Sequence, residues 1–165
     1  MRTKDVTGMV MELGEVLRRA GMRLATAESC TGGLVASTLT NVAGSSEWFE
    51  GAVVAYDNRV KMKLLGVPEE VLIRHGAVSS ECAEAMARGI AALMDVQVGL
   101  AISGIAGPGG GSVEKPVGTV WIAWTVSGRV WSRKHLFSGD RLNIKGQSMA
   151  AALDGLLATM KNGAF

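Results

Sequence analysis

The chain has 165 residues, 48% of them hydrophobic and 19% charged, so it can bury a core of its own and is not a disordered tail. Its formal net charge is only +2 and its basic residues are scattered, so no nucleic-acid partner is expected. Glycine is in excess, with 22 residues against a usual share of about 7%. That excess indicates loops that need unusual backbone angles or that approach a ligand closely.

Apolar spacing, cysteine usage and the amino-terminal segment predict where the chain resides. No run approaches the roughly 18 apolar residues of a membrane span, and residues 1–5 lead into an interrupted apolar pattern, unlike a signal peptide. Cys30 and Cys82 form neither a disulfide scaffold nor a C-x-x-C motif. We therefore expect a reduced, cytoplasmic protein without a membrane partner, folded as one domain over residues 1–165.

Helical and alternating apolar patterns follow one another along the chain. The first half predicts, in order, a helix ending at Gly21, a strand over 22–27, a helix over 34–42, a strand over 51–56, a helix capped by Asp57 and Asn58 that runs through Leu65, and a helix from Pro68 through His75. The second half predicts a helix capped by Ser79 or Ser80 that ends near Met94, a strand over 98–103, a hairpin of strands 119–126 and 130–137, and a helix from Asp140 to about Leu157. Helices that alternate with strands indicate one α/β domain with a mixed sheet covered on both faces.

A glycine-rich segment, residues 104–112, follows the predicted strand 98–103, where α/β sheets bind ligands. It lacks the last glycine of a Rossmann fingerprint, where Ser112 stands, and the Gly-Lys-Ser/Thr of a Walker loop. Ser112 and Lys115 match an S-x-x-K motif by letter, but the neighbouring glycines and Pro116 do not allow the helical turn that this motif needs. A ligand-binding loop and a plain surface loop are equal alternatives for this segment.

The turn of residues 28–33, Glu-Ser-Cys-Thr-Gly-Gly, lies between a predicted strand and a predicted helix. It places the hydroxyl of Ser29 near free backbone N–H groups that favour negative charge. A tetrahedral oxyanion or a phosphate would be stabilised there. The alternative is structural, because Ser29 or Thr31 can simply cap the helix that follows.

A nucleophilic serine needs a base, and the chain offers few candidates. Its two histidines, His75 and His135, lie in no recognisable active-site segment, and no metal-ligand spacing is present. A lysine can replace histidine when burial keeps it neutral. Lys61 follows Tyr56 by five positions and would lie near the same edge of the sheet, although a solvated helix face is the ordinary place for a lysine.

Seven segments in chain order carry a resemblance to a known family: TAESCTGG (26–33), VAYDN (54–58) with Lys61, LGV (65–67), HGAVS (75–79), SGIAGP (103–108), KPVGTVW (115–121) and SGDR (138–141). Together they resemble the CinA carboxy-terminal domain family over nearly the whole chain. The resemblance implies a three-layer α/β/α sandwich with a mixed, mostly parallel sheet, and serine amidase chemistry. Members include stand-alone nicotinamide mononucleotide (NMN) amidohydrolases of the PncC type, which convert NMN to nicotinate mononucleotide and ammonia in pyridine-nucleotide recycling.

The resemblance also implies roles for individual residues, and no metal or organic cofactor. Ser29 corresponds to the nucleophile, and Tyr56 or Lys61 to the group that takes its proton. The backbone N–H groups implied for the oxyanion are those of Cys30, Thr31, Gly32 and Gly33. The residues implied for substrate binding are Glu28, Gly104, Ile105, Ala106, Gly107 and Arg141. Arg141 and the glycine loop are alternatives for holding the phosphate. The family usually has serine where this chain has Asp57, which predicts an added charge near the base.

Two alternatives differ in the nucleophile or in the class of function. Cys30 at a helix amino terminus could act in a Cys-Lys-Glu amidase with Lys61 and Glu28. The chain could instead be a non-catalytic interaction domain, given the family's association with competence and DNA-damage responses and the mildly basic pI of 8.7. The hairpin edge and the alanine-rich helix predict a homo-oligomer without identifying its interface.

Overall fold

The computed structural model describes residues 5–163, which form a five-stranded sheet between two layers of helices. The strands are β1 (Leu24–Glu28), β2 (Phe49–Val54), β3 (Val98–Gly104), β4 (Thr119–Val126) and β5 (Arg129–Leu136). The helices are α1 (Val6–Ala20), α2 (Leu34–Thr40), α3 (Asn58–Leu65), α4 (Glu69–His75), α5 (Ser80–Met94) and α6 (Arg141–Asn162), with a short 3₁₀ helix over Ser45–Glu47. Within this range no helix is long and apolar enough to cross a membrane. Residues 1–4, which belong to the amino-terminal segment considered for a signal peptide, lie outside the described residues.

The sheet is mixed, with strand order β2-β1-β3-β4-β5. β1 pairs in parallel with β2 on one side and β3 on the other, whereas β3–β4 and β4–β5 are antiparallel. β4 alone therefore runs against the other four strands, and the predicted α/β/α sandwich with a mixed sheet is confirmed. The predicted hairpin is β4 and β5, and β5 is an edge strand.

The caps predicted for α3, α5 and α6 are present, but neither Ser29 nor Thr31 caps α2, whose N-cap is Gly33 without a side-chain hydrogen bond. One helix is longer than predicted. The side chains of Asp57, Ser79 and Asp140 each accept a backbone N–H from the first turn of the helix that follows. The last helix, α6, runs to Asn162 instead of about Leu157. It continues because Met160 is still buried in the core one turn beyond the predicted end.

The two faces of the sheet differ in side-chain size. On β3, Val98, Leu100 and Ile102 pack in the core shared with α1, α2 and α6, whereas Ala101 faces α5. A Cβ on Gly99 would lie 2.4 Å from the backbone oxygen of Ala87 in α5. The small residues on this face therefore let α5 pack directly on the strands.

The strand connections create a crevice beside β1. The chain passes from β1 to β2 through α2 on one face of the sheet, and from β2 to β3 through α5 on the other. Because β1, β2 and β3 are parallel, the segments that follow them meet at one edge. Ligand sites of open α/β sheets lie at such a point, where the connections diverge to opposite faces.

Candidate active site

Ser29 is held at the carboxyl end of β1 and lines a cavity of about 250 Å³. Its backbone N–H donates to the carbonyl of Ile102 at 2.9 Å, which extends the pairing between β1 and β3 by one residue. The residue is buried but still reaches the cavity, with 8% of its surface exposed. Ser29 is therefore fixed by the sheet and open to a small ligand.

Lys61 lies on the buried side of α3, with only 1% of its surface exposed. Its Nζ is 3.1 Å from Oγ of Ser29 and 3.1 Å from the backbone oxygen of Tyr56. Burial lowers the pKa of the Lys61 ammonium, because the charged form loses hydration and no carboxylate pairs with it within residues 5–163. The side chain is thus not on a solvated helix face, and its amine is placed to exchange a proton with Ser29.

The phenol of Tyr56 faces a different partner. The side chain is 63% exposed, and its oxygen accepts a hydrogen bond from Nη2 of Arg141 at 3.1 Å. The backbone carbonyl of Tyr56, not its phenol, contacts Lys61. Of the two candidate proton acceptors, only Lys61 has a hydrogen bond to Ser29.

Glu28 does not lie where the resemblance placed it, in contact with the substrate. Its carboxylate is 0% exposed and does not line the cavity. Oε2 accepts from the Thr31 hydroxyl at 2.7 Å and from the N–H of Gly33 and Val35, while Oε1 accepts from the N–H of Ala36 at 2.8 Å. Alternation along β1 turns Glu28 to the same side as Leu24, toward α2. Glu28 therefore ties the turn to the first residues of α2.

The backbone N–H groups of the turn of residues 28–33 differ in whether they already have a hydrogen-bond acceptor. The N–H of Gly32 donates to the carbonyl of Ser29 at 3.1 Å, and the N–H of Gly33 is taken by Glu28. Both glycines have positive φ, +62° and +98°, which explains why the turn needs glycine. Within the described chain the N–H groups of Cys30 and Thr31 donate to no backbone oxygen. Of the four expected oxyanion donors, only Cys30 lines the cavity, whereas Thr31 is fully buried and Gly32 and Gly33 donate within the turn.

The Cys30 thiol lies at the edge of the cavity in a poorly hydrated place. Only 5% of the residue is exposed, and burial raises the pKa of the thiol to about 11. The positive charges of Lys145 and Arg141 lower it by less. The thiol is therefore protonated at neutral pH.

The opposite wall of the cavity is the glycine loop after β3. The expected residues found in the wall are Gly104, Ile105, Ala106, Gly107 and Arg141. Arg141 spans the opening, because its Nη1 donates to the carbonyl of Gly107 and its Nη2 to Tyr56. Gly109 and Gly110 also line the cavity, so most of the segment of residues 104–112 forms this wall.

Further lining residues had no role assigned from sequence, namely Asn58, Ala77, Val78 and Ser103. Ser103 is 1% exposed and its hydroxyl donates to the carbonyl of Ala77 at 2.7 Å, joining β3 to the segment before α5. All four lie in segments that carry the family resemblance. The resemblance could therefore have located these residues, but it implied no role for them.

The residues set aside from sequence lie elsewhere. Neither His75 nor His135 lines the cavity. Lys115 Nζ donates to the carbonyl of His75 at 2.7 Å, which confirms that Ser112 and Lys115 are not an S-x-x-K pair. Between residues 5 and 163 no group of three or more His, Cys, Asp or Glu side chains is arranged to hold a metal ion.

The family model of the CinA C-terminal domain matches residues 6–160. The chain belongs to the CinA C-terminal domain family. It is 51% identical over 152 residues to the nicotinamide-nucleotide amidohydrolase PncC of Pseudomonas putida, covering 92% of this chain and 95% of that protein. It is 45% identical over 157 residues to the protein of the same name from Escherichia coli K12, covering 94% and 95%. The crystal structure of competence damage-inducible protein A from Klebsiella pneumoniae superposes with a TM-score of 0.93 at 35% identity, over 96% of this chain and 98% of that one.

At the position where the family resemblance implies serine, this chain has Asp57, and the structure shows the contacts that Asp57 makes. Asp57 caps α3 by accepting the N–H of Arg59 at 2.8 Å, and it pairs with the Arg59 side chain. These hydrogen bonds lower the pKa of the Asp57 carboxyl. Its negative charge raises the pKa of Lys61, but burial has the larger opposite effect, so the pKa of Lys61 is lowered overall.

Proposed function

We propose that this chain hydrolyses the carboxamide of NMN to nicotinate mononucleotide and ammonia. The observation that carries the proposal is the 3.1 Å contact between Lys61 Nζ, which is buried, and Ser29 Oγ at the cavity. Serine with a neutral amine beside it is a nucleophile with its own base. The family relatives named nicotinamide-nucleotide amidohydrolase supply the substrate, since the cavity alone does not distinguish one amide from another.

In the first half-reaction, neutral Lys61 takes the proton of the Ser29 hydroxyl as Oγ attacks the carboxamide carbon. The carbonyl oxygen becomes an oxyanion, for which the N–H of Cys30 is the available donor of the turn at the cavity. The C–N bond then breaks, and the Lys61 ammonium returns its proton to the departing nitrogen. Ammonia leaves, and the nicotinoyl group is joined to Oγ as an ester.

In the second half-reaction, Lys61 takes a proton from a water molecule, which attacks the ester carbon. The bond from this carbon to Oγ breaks, Ser29 recovers a proton from Lys61, and nicotinate mononucleotide leaves. Both half-reactions use the same oxyanion donor and the same base, because the second is acyl transfer from Ser29 to water through the same site.

Lys61 is preferred to Tyr56 as the proton acceptor, because the phenol is hydrogen-bonded to Arg141. Ser29 is preferred to Cys30 as the nucleophile, because a thiol whose pKa is about 11 carries almost no thiolate at neutral pH. Glu28, the third member of a Cys-Lys-Glu arrangement, faces α2 with both of its oxygens occupied. These contacts favour a Ser-Lys amidase.

The experiment measures ammonia release from NMN by the wild-type protein, Ser29→Ala and the control Ser37→Ala, whose side chain is exposed on α2. We expect Ser29→Ala to lose about 10⁴-fold or more in kcat and the control to match the wild type. Intact-mass measurement after a pulse of NMN should find an acyl adduct, and peptide mapping should locate it on the peptide that contains Ser29. Equal activity of Ser29→Ala and wild type, or a wild type that releases no ammonia and binds DNA with strong salt dependence, would refute the proposal.

A further inference from the structure

The first two turns of α6 carry two cations beside the catalytic turn. Arg141 and Lys145 are four positions apart, so their side chains are neighbours on one face of the helix, with Cβ atoms about 6 Å apart. The same stripe continues through Ser148 and Ala152, which are both fully buried. Arg141, which is exposed, and Lys145, which is half-buried, therefore continue the stripe of the inner face of α6 beyond the end of the core.

Lys145 lies over the turn of residues 28–33. A Cβ on Gly32 would be 3.5 Å from Lys145 Nζ, and no other atom would be within 4 Å of it. The charge of Lys145 acts on the Cys30 thiol together with that of Arg141. Two helix residues thus place positive charge next to the segment that holds Ser29.

The ammonium of Lys145 has no anionic partner within residues 5–163. It takes part in none of the ion pairs there, although its residue is half-buried. The other lysine of α6, Lys161, pairs with Glu12 at 2.6 Å. Glu28 is the acidic residue of the turn, and its oxygens are filled by Thr31 and the backbone of α2. Lys145 therefore keeps three donors for an anion that the chain itself does not supply.

We infer that Lys145, together with Arg141, binds the phosphate monoester of the substrate, an inference that rests on the proposed function. Arg141 uses one hydrogen on Nη1 and one on Nη2 for Gly107 and Tyr56, so donors of its guanidinium are still available. A phosphate monoester carries close to two negative charges at neutral pH, which matches two adjacent cations. Lys145 would then select mononucleotides over nucleosides at a site whose chemistry acts on the other end of the substrate.

The test compares kcat/KM for NMN with kcat/KM for nicotinamide riboside, which has the same carboxamide and ribose but no phosphate. We expect the ratio of these two values to fall about tenfold or more in Lys145→Gln and in Lys145→Met, because a charge-assisted contact to phosphate is lost. Lys145→Arg should recover most of the ratio. Inorganic phosphate should inhibit the wild type competitively, with an inhibition constant that rises by a similar factor in Lys145→Gln. Lys134→Gln, an exposed lysine on β5, is the control and should keep the wild-type ratio.

The outcomes separate this inference from the proposed function. If the wild type releases ammonia from neither substrate, the proposed function fails. If the wild type hydrolyses NMN but both neutral Lys145 variants keep the wild-type ratio, the inference is overturned while the proposed function stands. An equal loss on both substrates also leaves the ratio unchanged and overturns it. Thermal melts of the variants identify any that do not fold, and the remaining neutral variant then decides.

Discussion

Lys61 Nζ lies 3.1 Å from Ser29 Oγ, although 32 positions separate the two residues in the chain. The contact exists because β1 ends at the edge of the sheet where α3 begins, one strand away. Ser29 is anchored through its N–H to β3, and Lys61 is held by the carbonyl of Tyr56. A hydroxyl and an amine fixed by different elements are aligned before any ligand binds, which is the geometry that the proposed proton transfer needs.

Replacing Lys61 by methionine should remove activity without lowering stability. Methionine keeps much of the length of the buried side chain and lacks the amine, so kcat for NMN should fall about 10³-fold. The unfolding free energy at neutral pH should stay level or rise, because an ammonium no longer has to be desolvated. Kinetics and denaturant unfolding measure the two effects. Lys63→Met, at an exposed position on the same helix, is the control and should retain wild-type kcat.

The pH dependence follows from the lowered pKa of Lys61. Activity should rise with pH as the amine loses its proton, with a midpoint below the usual lysine value. Between the folded and the unfolded pKa of Lys61, the unfolded chain binds more protons, so stability should also rise with pH in that window. Lys61→Met should lack this contribution to stability. A wild-type activity profile whose midpoint lies at or above the usual lysine value would contradict the assignment.

Replacing Cys30 by alanine should leave most of the activity. Its thiol is protonated at neutral pH because burial raises the pKa to about 11, and only 5% of the residue is exposed. We expect kcat within about threefold of wild type, which is an effect of packing and not of chemistry. Native protein should also resist alkylation of Cys30 by iodoacetamide at pH about 8, as measured by intact mass. Loss of activity in Cys30→Ala with Ser29→Ala still active would assign the nucleophile to sulfur.

Replacing Tyr56 by phenylalanine separates binding from proton transfer. The variant loses the hydrogen bond that Arg141 donates to the phenol, but keeps the backbone carbonyl that holds Lys61. We expect KM for NMN to rise several-fold, and kcat to stay within about threefold of wild type. If the phenol were the proton acceptor, kcat would fall by about 10²-fold or more. Steady-state kinetics on NMN distinguish the two results.

Replacing Glu28 by glutamine should destabilise the turn that carries Ser29. The amide group of glutamine would face N–H donors at Gly33, Val35 and Ala36, which the carboxylate accepts. We expect a loss of about 2–3 kcal/mol in unfolding free energy, together with reduced kcat. Glu70→Gln removes an exposed ion pair with Arg74 and should cost under about 1 kcal/mol. Equal stability of the two variants would show that Glu28 does not support the turn.

Much of this molecule could be predicted from local pattern. The alternation of helices and strands along the chain determined the α/β class, because apolar periodicity directly reflects which face of an element is buried. The turn of residues 28–33 and the glycine loop were located because each follows a strand, and parallel strands end at a common edge. Side chains that cap helices, such as Asp57 and Asp140, act within a few residues, so their role was also predictable.

Other features depended on contacts between distant segments, which no local pattern encodes. Lys61 could have been an ordinary solvated lysine until α3 packed against the crevice and buried it. Tyr56 presents its carbonyl to Lys61 and its phenol to Arg141, a division set by the approach of α6 from 85 positions away. Sequence placed Glu28 at the substrate, whereas packing of α2 against β1 turned its carboxylate inward. The sequence by itself thus determined an α/β domain with glycine-rich loops at the strand ends. Only tertiary packing decided which polar side chains line the cavity, because the burial of a residue depends on every element that covers it.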